Sequence, residues 1–321
     1  MRIYITGVRG FLGTHLAKSL TADGHEVYGC DLIEPETQAW EALSDGEPIP
    51  PTMVDRGWIE YPGFVHTNID RMHVDVVVHL AARSTVEVSF ENPEAAFETN
   101  VLGTVRVLEA CRKLKLPILV ASTDKAYGVR RPPFYEEDSF KPRYPYDVSK
   151  ANADMAALSY AKTYQMAVAV TRSCNFYGPG DLHWNRLVPR SFKELALGHR
   201  PVMYGAMERI RREWMHVSDC VEAYKVIVRK LLDDPEMVVG LGINIGTGDV
   251  RTLREMMQRI LLAAGSDVEP IINNASFPEL GDEWLDHRRL ERLGWHAKVR
   301  LDDGLRETWE WYRNFCGGQN G

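Results

Sequence analysis

Apolar positions in the first half of the chain fall into short runs separated by longer stretches of helical spacing. "RIYI" (2–5) leads into a helical pattern near 11–23. "EVYGCD" (26–31), "FVHTNI" (64–69) and "DVVVHLAA" (75–82) read as further strands. Phe97, Val101, Val105, Leu108 and Cys111 share one helical face and predict a helix over 93–114. "PILVAS" (117–122), a helix near 147–164 and "AVAVTR" (167–172) follow. The strands are apolar without strict alternation, so both of their faces are expected to be buried. Strand–helix alternation of this kind predicts an α/β fold: a doubly wound parallel sheet covered by helices on both sides.

The pattern changes after about residue 175. "NFYGPGDLHWNRLVP" is rich in Gly, Pro and aromatic residues and reads as a loop, and shorter elements follow it. This predicts a first domain over 1–175 and a smaller α/β lobe over 176–321, with some segments returning to the first domain. The stretch 33–63 holds five prolines and little periodicity, and reads as a surface excursion with a short helix near 37–44.

Composition narrows the partners. At 321 residues, with a net charge of −7 and no long basic run, the chain is a poor fit for nucleic acid or an anionic membrane surface. The five cysteines are odd in number and scattered without a CxxC, which argues against a disulfide framework or a metal site. No membrane-spanning apolar stretch and no signal peptide is read, so a cytoplasmic location is expected.

Three local patterns carry chemistry. "TGVRGFLG" sets Gly7, Gly10 and Gly13 between the first strand and the first helix. Glycines there let the backbone approach a pyrophosphate, and the helix N-terminus faces the anion. The spacing is GxxGxxG, which by itself also fits an ordinary turn. Asp31 ends the second strand, 18 residues after Gly13. Its carboxylate suits adenosine ribose hydroxyls and repels a 2′-phosphate, hence NAD over NADP; a solvated strand end is the plainer reading.

"YPYDVSK" places Tyr146 and Lys150 four apart on one helix face. An ammonium and a positively charged nicotinamide favour the phenolate; lowering a phenol by roughly 3 pH units takes about 4 kcal/mol. Tyr146 is then expected to take a proton from a sugar hydroxyl while hydride passes to NAD⁺. The third pattern, "STDKAYG", puts Thr123, Asp124 and Lys125 at the end of a buried strand, where charge is rejected unless paired or used.

Taken together, "GVRGFLG", "HLAARSTVEVS", "TNVLGT", "STDKAYG", "PYDVSK", "NFYGPGD", "REWMHVSD", "NIGTG" and "RRLERLGW" resemble the extended short-chain dehydrogenase/reductases, specifically nucleotide-sugar epimerases and dehydratases, along nearly the whole chain. The resemblance implies a Rossmann-like fold, NAD as cofactor and a nucleotide-diphosphate sugar as substrate. It makes Thr123, Tyr146 and Lys150 catalytic. Similar 4-epimerases carry small or apolar residues after the hydroxyl, whereas dehydratases carry an acid–base pair; Asp124–Lys125 resembles the pair of the CDP-glucose type and of some UDP-N-acetylglucosamine types. A 4,6-dehydratase is therefore expected, with Asp124 as acid and Lys125 as base. A structural ion pair, or a Lys125 that only holds substrate, stays open.

By the same resemblance, Phe11, Leu12, Leu80, Ala81, Ala82 and Thr99 join the glycines and Asp31 around the cofactor, with Asn68 and Ile69 at the adenine. Ser84 is expected near the hexose and Asn175 near the diphosphate. Arg186, Leu187 and Val188 are expected at the nucleotide, with Tyr204 on its base. Arg212 is expected on the diphosphate, and Asn244 is a further substrate candidate. "GPGDLHWNRLVP" is similar to the corresponding loop of CDP-glucose dehydratases, with a residue or two inserted, and His183 and Trp184 would shape the pocket. Only "DRMHV" fits the helix expected between the third and fourth strands. No metal is expected. The helices over 93–114 and 147–164 imply a homodimer. A 4-epimerase and a non-catalytic NAD-sensing protein are the rival readings.

Overall fold

A computed structural model describes residues 1–32, 42–44, 54–84, 86–205, 208–274 and 281–317. Its frame is a seven-stranded parallel sheet. The strands are β1 (Arg2–Thr6), β2 (Glu26–Asp31), β3 (Val54–Arg56), β4 (Val76–His79), β5 (Ile118–Thr123), β6 (Val168–Ser173) and β10 (Gly242–Ile245), in the spatial order β10-β6-β5-β4-β1-β2-β3. Strand residues alternate between two cores, so Ile3 and Ile5 enter one and Tyr4 the other, as do Val76 and Val78 against Val77.

Helices cover both faces. On the first core lie α1 (Phe11–Ala22) through Leu16 and Leu20, and α8 (Val217–Asp233) through Val221, Tyr224 and Ile227. The opposite core receives Val65 and Ile69 of α2 (Phe64–Met72), Val107 and Leu108 of α5 (Thr104–Leu114), and Ala157 and Ala161 of α6 (Pro145–Tyr164). Two short helices, α3 (Val86–Glu91) and α4 (Pro93–Phe97), lead into a π-helical turn, Glu98–Gly103, ahead of α5.

The smaller lobe has its own sheets and core. Strands β7 (Asn175–Tyr177), β9 (Arg211–His216) and β11 (Val250–Thr252) form one sheet, and β8 (Val202–Tyr204) pairs with β12 (Ile271–Asn273) in another. Phe192 of α7 (Leu187–Ala196), Ile260 of α9 (Leu253–Ala264) and Tyr312 of α11 (Leu301–Gly317) pack with Trp214. Between β9 and β11 the chain goes back to the large sheet to lay down α8 and β10, and α10 (Arg288–Arg292) returns to β10 before α11 closes the small lobe. No helix among the described residues is long and apolar enough to cross a membrane.

Two expectations are corrected. Residues 64–69 are not a strand: Val65, Asn68 and Ile69 are the buried positions, a helical spacing, and left-handed Gly63 (φ 82°) and His73 (φ 49°) bound α2. The third strand is Val54–Arg56, and α2 is the helix of which "DRMHV" is only the end. The helical face expected over 93–114 is rotated by the π turn, which burdens each turn with an extra residue: Thr104, Val107, Leu108 and Cys111 are buried, and Phe97 is exposed. The short helix expected near 37–44 falls mainly outside the described residues.

Candidate active site

In an open parallel sheet, ligands bind beyond the carboxyl ends of the strands where the order reverses. Here that point lies between β1 and β4. A cavity of about 1240 Å³ opens there and runs into the smaller lobe. Single-ligand pockets are roughly 300–1,000 Å³, so the space suits two ligands end to end.

The glycine loop is built for close approach. Gly7 has φ 72°, and a methyl on it would meet Ala81 N at 2.8 Å, across the gap from β1 to β4. A methyl on Gly13 would meet Gly7 O at 2.2 Å, so the first turn of α1 lies directly on the loop. Gly10 is different: a methyl there would meet only Gly7 O, at 3.3 Å, and the residue lines the cavity. Its missing side chain keeps the cavity floor low rather than serving internal packing. The Asp31 carboxylate accepts from Arg9 N at 2.6 Å and Leu32 N at 2.8 Å, which fixes it at the rim of the same loop. Burial pushes Asp31 up, and these donors act against that. Phe11, Leu12, Leu80, Ala81, Ala82 and Thr99 line the cavity with them. An open glycine floor with a rim carboxylate fits a dinucleotide.

Asn68 and Ile69 do not line the cavity. Both are buried on α2, and the wall after β3 is made by Gly57, Ile59 and Glu60 instead. Glu60 accepts a hydrogen bond from the Thr99 hydroxyl.

The π turn holds the first turn of α6 in place. Asn100 Nδ2 donates to Ser149 Oγ (2.9 Å), which donates to Tyr146 O (2.7 Å). Asn100 Oδ1 accepts from Arg83 N (2.8 Å). Next to them the His79 ring bridges Thr6 Oγ1 (2.7 Å) and Thr104 Oγ1 (2.9 Å); burial keeps it neutral, near 3. Pro145 starts α6 and Tyr146 and Lys150 share its cavity face.

Their electrostatics differ from the sequence expectation. Burial pushes Tyr146 up to about 12; Lys125 and Arg186 pull it down, and Asp124 and Asp147 push it up. Lys150 is pulled down to about 8 by burial, with Asp154 opposing, and its Nζ donates to Ala121 O at 2.7 Å. The cation that acts most strongly on the Tyr146 phenol is thus Lys125 rather than Lys150.

Thr123, Asp124 and Lys125 leave β5 in a single 3-10 turn, Asp124–Tyr127, and all three line the cavity. Thr123 Oγ1 donates to Asp124 Oδ1 (2.9 Å) and accepts from Lys125 N (3.3 Å). Asp124 is buried, and its Oδ2 has no hydrogen-bond partner among the described residues. Burial pushes it up to about 6 against the pull of Lys125. Lys125 Nζ donates to Glu283 Oε2 at 2.8 Å, and Arg212 Nε lies 3.0 Å from the same oxygen. Glu283 reaches them because its segment runs along β9: Glu283 N donates to Arg211 O at 3.0 Å. Sequence reading missed Glu283; it is far along the chain from Lys125 and belongs to no motif.

The smaller lobe supplies the far wall. Asn175, Arg186, Leu187, Val188, Tyr204, Arg212, His183 and Trp184 line the cavity there, and Ser84, just after β4 of the large sheet, lines it from the other side. Arg186 pairs with Asp181 (3.0 Å) and Asn175 Nδ2 donates to Glu213 O (3.3 Å). Arg190 and Lys193, which sequence reading did not single out, sit over the rings of Tyr204 (5.2 Å) and Trp184 (4.6 Å) and line the same wall. Arg209 is exposed and Arg211 pairs with Asp282, which leaves Arg212 as the cavity arginine of that run. Asn244 is the other correction: it is fully buried, accepts from Tyr127 OH (2.7 Å) and donates to Phe134 O and Asp286 O (both 2.9 Å). It braces the turn that carries Lys125 and does not reach the cavity. Among the described residues, no group of three or more His, Cys, Asp or Glu is placed to hold a metal ion.

Comparison with known proteins agrees with this geometry. A family model described as GDP-mannose 4,6 dehydratase matches residues 4–308. A dTDP-glucose 4,6-dehydratase of Mycobacterium tuberculosis is 30% identical over 98% of this chain and 94% of its own. The solved structure of a dTDP-glucose 4,6-dehydratase from Streptomyces venezuelae, with NAD bound, superposes with a TM-score of 0.85 at 30% identity, covering 98% of this chain and 97% of that one. A UDP-glucose 4-epimerase from Thermotoga maritima, solved with UDP-glucose, superposes at 0.84 with 27% identity, covering 98% and 99%.

Proposed function

This chain belongs to the GDP-mannose 4,6 dehydratase family of extended short-chain dehydrogenase/reductases, and on that premise we propose that it is an NAD-dependent nucleotide-sugar 4,6-dehydratase. The observation that carries the reading is the meeting of Thr123, Asp124 and Lys125 with Tyr146 in one cavity. An epimerase has no use for an acid–base pair beside its tyrosine.

NAD, when bound, supplies the acceptor for the C4 hydride, returns that hydride to C6, and adds positive charge beside the phenol. Tyr146 takes the C4 hydroxyl proton. Burial pushes the phenol up, and the cations Lys125 and Arg186 are the groups that pull against it. Lys150, fixed by Ala121 O, holds its ammonium on the cavity face of α6 for the cofactor side. The C4 ketone acidifies the C5 proton, and Asp124 and Lys125 serve as the acid–base pair that removes water across C5 and C6. Gly7, Gly10, Gly13 and Asp31 would hold the dinucleotide. Asn175, Arg186 to Val188, Tyr204 and Arg212 would hold the nucleotide diphosphate, and Ser84 the hexose. The domain reading is retained in this sense: the large sheet as NAD domain, the small lobe as sugar-nucleotide lobe.

The nucleotide is proposed to be cytidine diphosphate and the sugar glucose, on the Asp124–Lys125 pair and the 178–189 loop. Mass spectrometry with CDP-, dTDP-, UDP- and GDP-hexoses tests both levels. One member is expected to lose one water with no net consumption of NAD. An isomer of unchanged mass from any of them would instead make the protein an epimerase.

We also propose a homodimer. Phe97, Leu102, Met155 and Tyr164 are exposed on the α4–π-turn–α5 rod and on α6, two helices that pack side by side. Sedimentation is expected to give twice the 36.5 kDa chain mass. A Leu102→Glu, Met155→Glu variant should sediment as monomer; a monomeric wild type would end the proposal. Five free, buried cysteines accord with a reducing compartment such as the cytoplasm.

A further inference from the structure

Glu283 has no part in the reaction just described, yet it is a buried carboxylate next to it, 1% exposed. It touches no cavity wall itself. One of its oxygens, Oε2, is shared by two cavity cations, Lys125 at 2.8 Å and Arg212 at 3.0 Å. Arg212 is further tied by Nη1 to Gly281 O (2.6 Å) and Arg211 O (3.0 Å), so the whole clamp is anchored on β9 and the segment beside it.

A buried carboxylate between two cations stays ionised. Burial pushes Glu283 up, but Lys125 and Arg212 outweigh it and hold it below the ordinary carboxylate range. An ionised carboxylate at hydrogen-bond distance favours the charged form of the amine. The other titratable groups that face Lys125 act in both directions. Asp124 on its own turn, and Asp147 on α6, add negative charge; Arg212 from β9 adds positive charge; the Tyr146 phenol from α6 is neutral near pH 7. Three carboxyl groups against one guanidinium leave the balance with the ammonium.

We propose that Glu283 is a positioning residue that keeps Lys125 a proton donor, so that Lys125 protonates the departing C6 oxygen and Asp124 accepts the C5 proton. This reverses the roles expected from sequence, and it rests on the dehydratase reading. The step balances. The C5–H bond breaks and its proton goes to Asp124, a cavity residue whose Oδ2 has no hydrogen-bond partner among the described residues. The electron pair forms the C5–C6 double bond as the C6–O bond breaks, and the oxygen leaves as water with the Lys125 proton. The hydride taken from C4 ends on C6, and Asp124 returns its proton to C5. The proton that Tyr146 took from the C4 hydroxyl restores Lys125 through solvent. Asp124, pushed by burial to about 6, is largely ionised at neutral pH and ready to accept.

The test is a titration of Lys125 in the intact enzyme, by NMR of isotope-labelled lysine assigned with Lys125→Arg, beside pH–rate profiles of wild type and Glu283→Gln. In wild type the Lys125 signal should remain that of an ammonium to about pH 9. In Glu283→Gln it should lose its proton at least about one pH unit earlier than in wild type. The alkaline limb of kcat should move down by the same interval, so that at pH values on that limb kcat falls about tenfold below wild type with KM little changed, and reduced cofactor should accumulate there because C4 oxidation still runs. Glu283→Asp should restore the limb. A Lys125 already neutral at pH 7 in wild type, a titration unmoved by Glu283→Gln, or a variant faster than wild type at neutral pH would each overturn the proposal; the last would make Lys125 the base. If Glu283→Gln does not fold, the wild-type titration alone decides. If wild type dehydrates no nucleotide sugar, the dehydratase reading fails, and the Lys125 titration still reports whether Glu283 holds the ammonium.

Discussion

Tyr146→Phe should lower kcat for water loss about a thousandfold, within the range for removing a general acid–base, and leave KM nearly unchanged. That is about 4 kcal/mol of transition-state stabilisation. Everything around the ring speaks for an effect of this size. The residue opens the cavity face of α6, and its backbone carbonyl is fixed by Ser149, itself held by Asn100. The phenol is the first proton acceptor in the sequence of steps, so no later step proceeds without it. With the hydroxyl gone, mixing enzyme and sugar nucleotide should give no burst of reduced nicotinamide. A variant that still shows that burst at near wild-type rate would remove Tyr146 from C4 chemistry and pass the role to the Thr123–Asp124 pair.

The second large effect is on stability. Arg172 of β6 and Asp154 of α6 form a bidentate pair, Nε to Oδ2 at 2.8 Å and Nη2 to Oδ1 at 3.0 Å, with side chains 4% and 0% exposed. Arg172 also donates to Tyr127 OH (3.0 Å) and Glu136 O (2.9 Å) and stacks over Phe140. Arg172→Met strands a carboxylate in the sheet–helix interface and should cost about 3–5 kcal/mol in urea unfolding. Adding Asp154→Leu should recover much of that loss, because the stranded charge, not the missing bond, is the main cost. If the double variant is no more stable than the single one, the penalty lies with Tyr127 and Glu136 instead.

The residues that sequence made legible are those whose role depends on neighbours a few positions away. Gly7, Gly10 and Gly13 act through one turn, and Tyr146 and Lys150 through one helical repeat. The strands β1, β4, β5 and β6 were legible because a buried parallel strand has little choice but an unbroken apolar run. Residues 64–69 misled because a run of six with β-branched residues at every second position is too short to separate the two periods; only the burial of Val65, Asn68 and Ile69 decides it. Asn244 misled in another way. Its place in "NIGTG" suggested a ligand by resemblance, while its partners are Tyr127, Phe134 and Asp286, brought in by the fold. Glu283 was illegible for the same reason: only the register of its segment against β9 sets it beside Lys125.

The path of the chain between the two sheets limits how this enzyme can be recombined. A graft that exchanged everything after residue 175 for a relative's sequence would carry away α8 and β10, and with them one edge of the large sheet and the helix that packs on α1. A chimera meant to change sugar-nucleotide preference while keeping the host's cofactor half has to be spliced at several internal joints, around 175–216, 246–274 and 301–317, with the host's 217–245 left in place. A single crossover therefore cannot exchange the smaller lobe intact, whereas point changes along the cavity wall leave both sheets undisturbed.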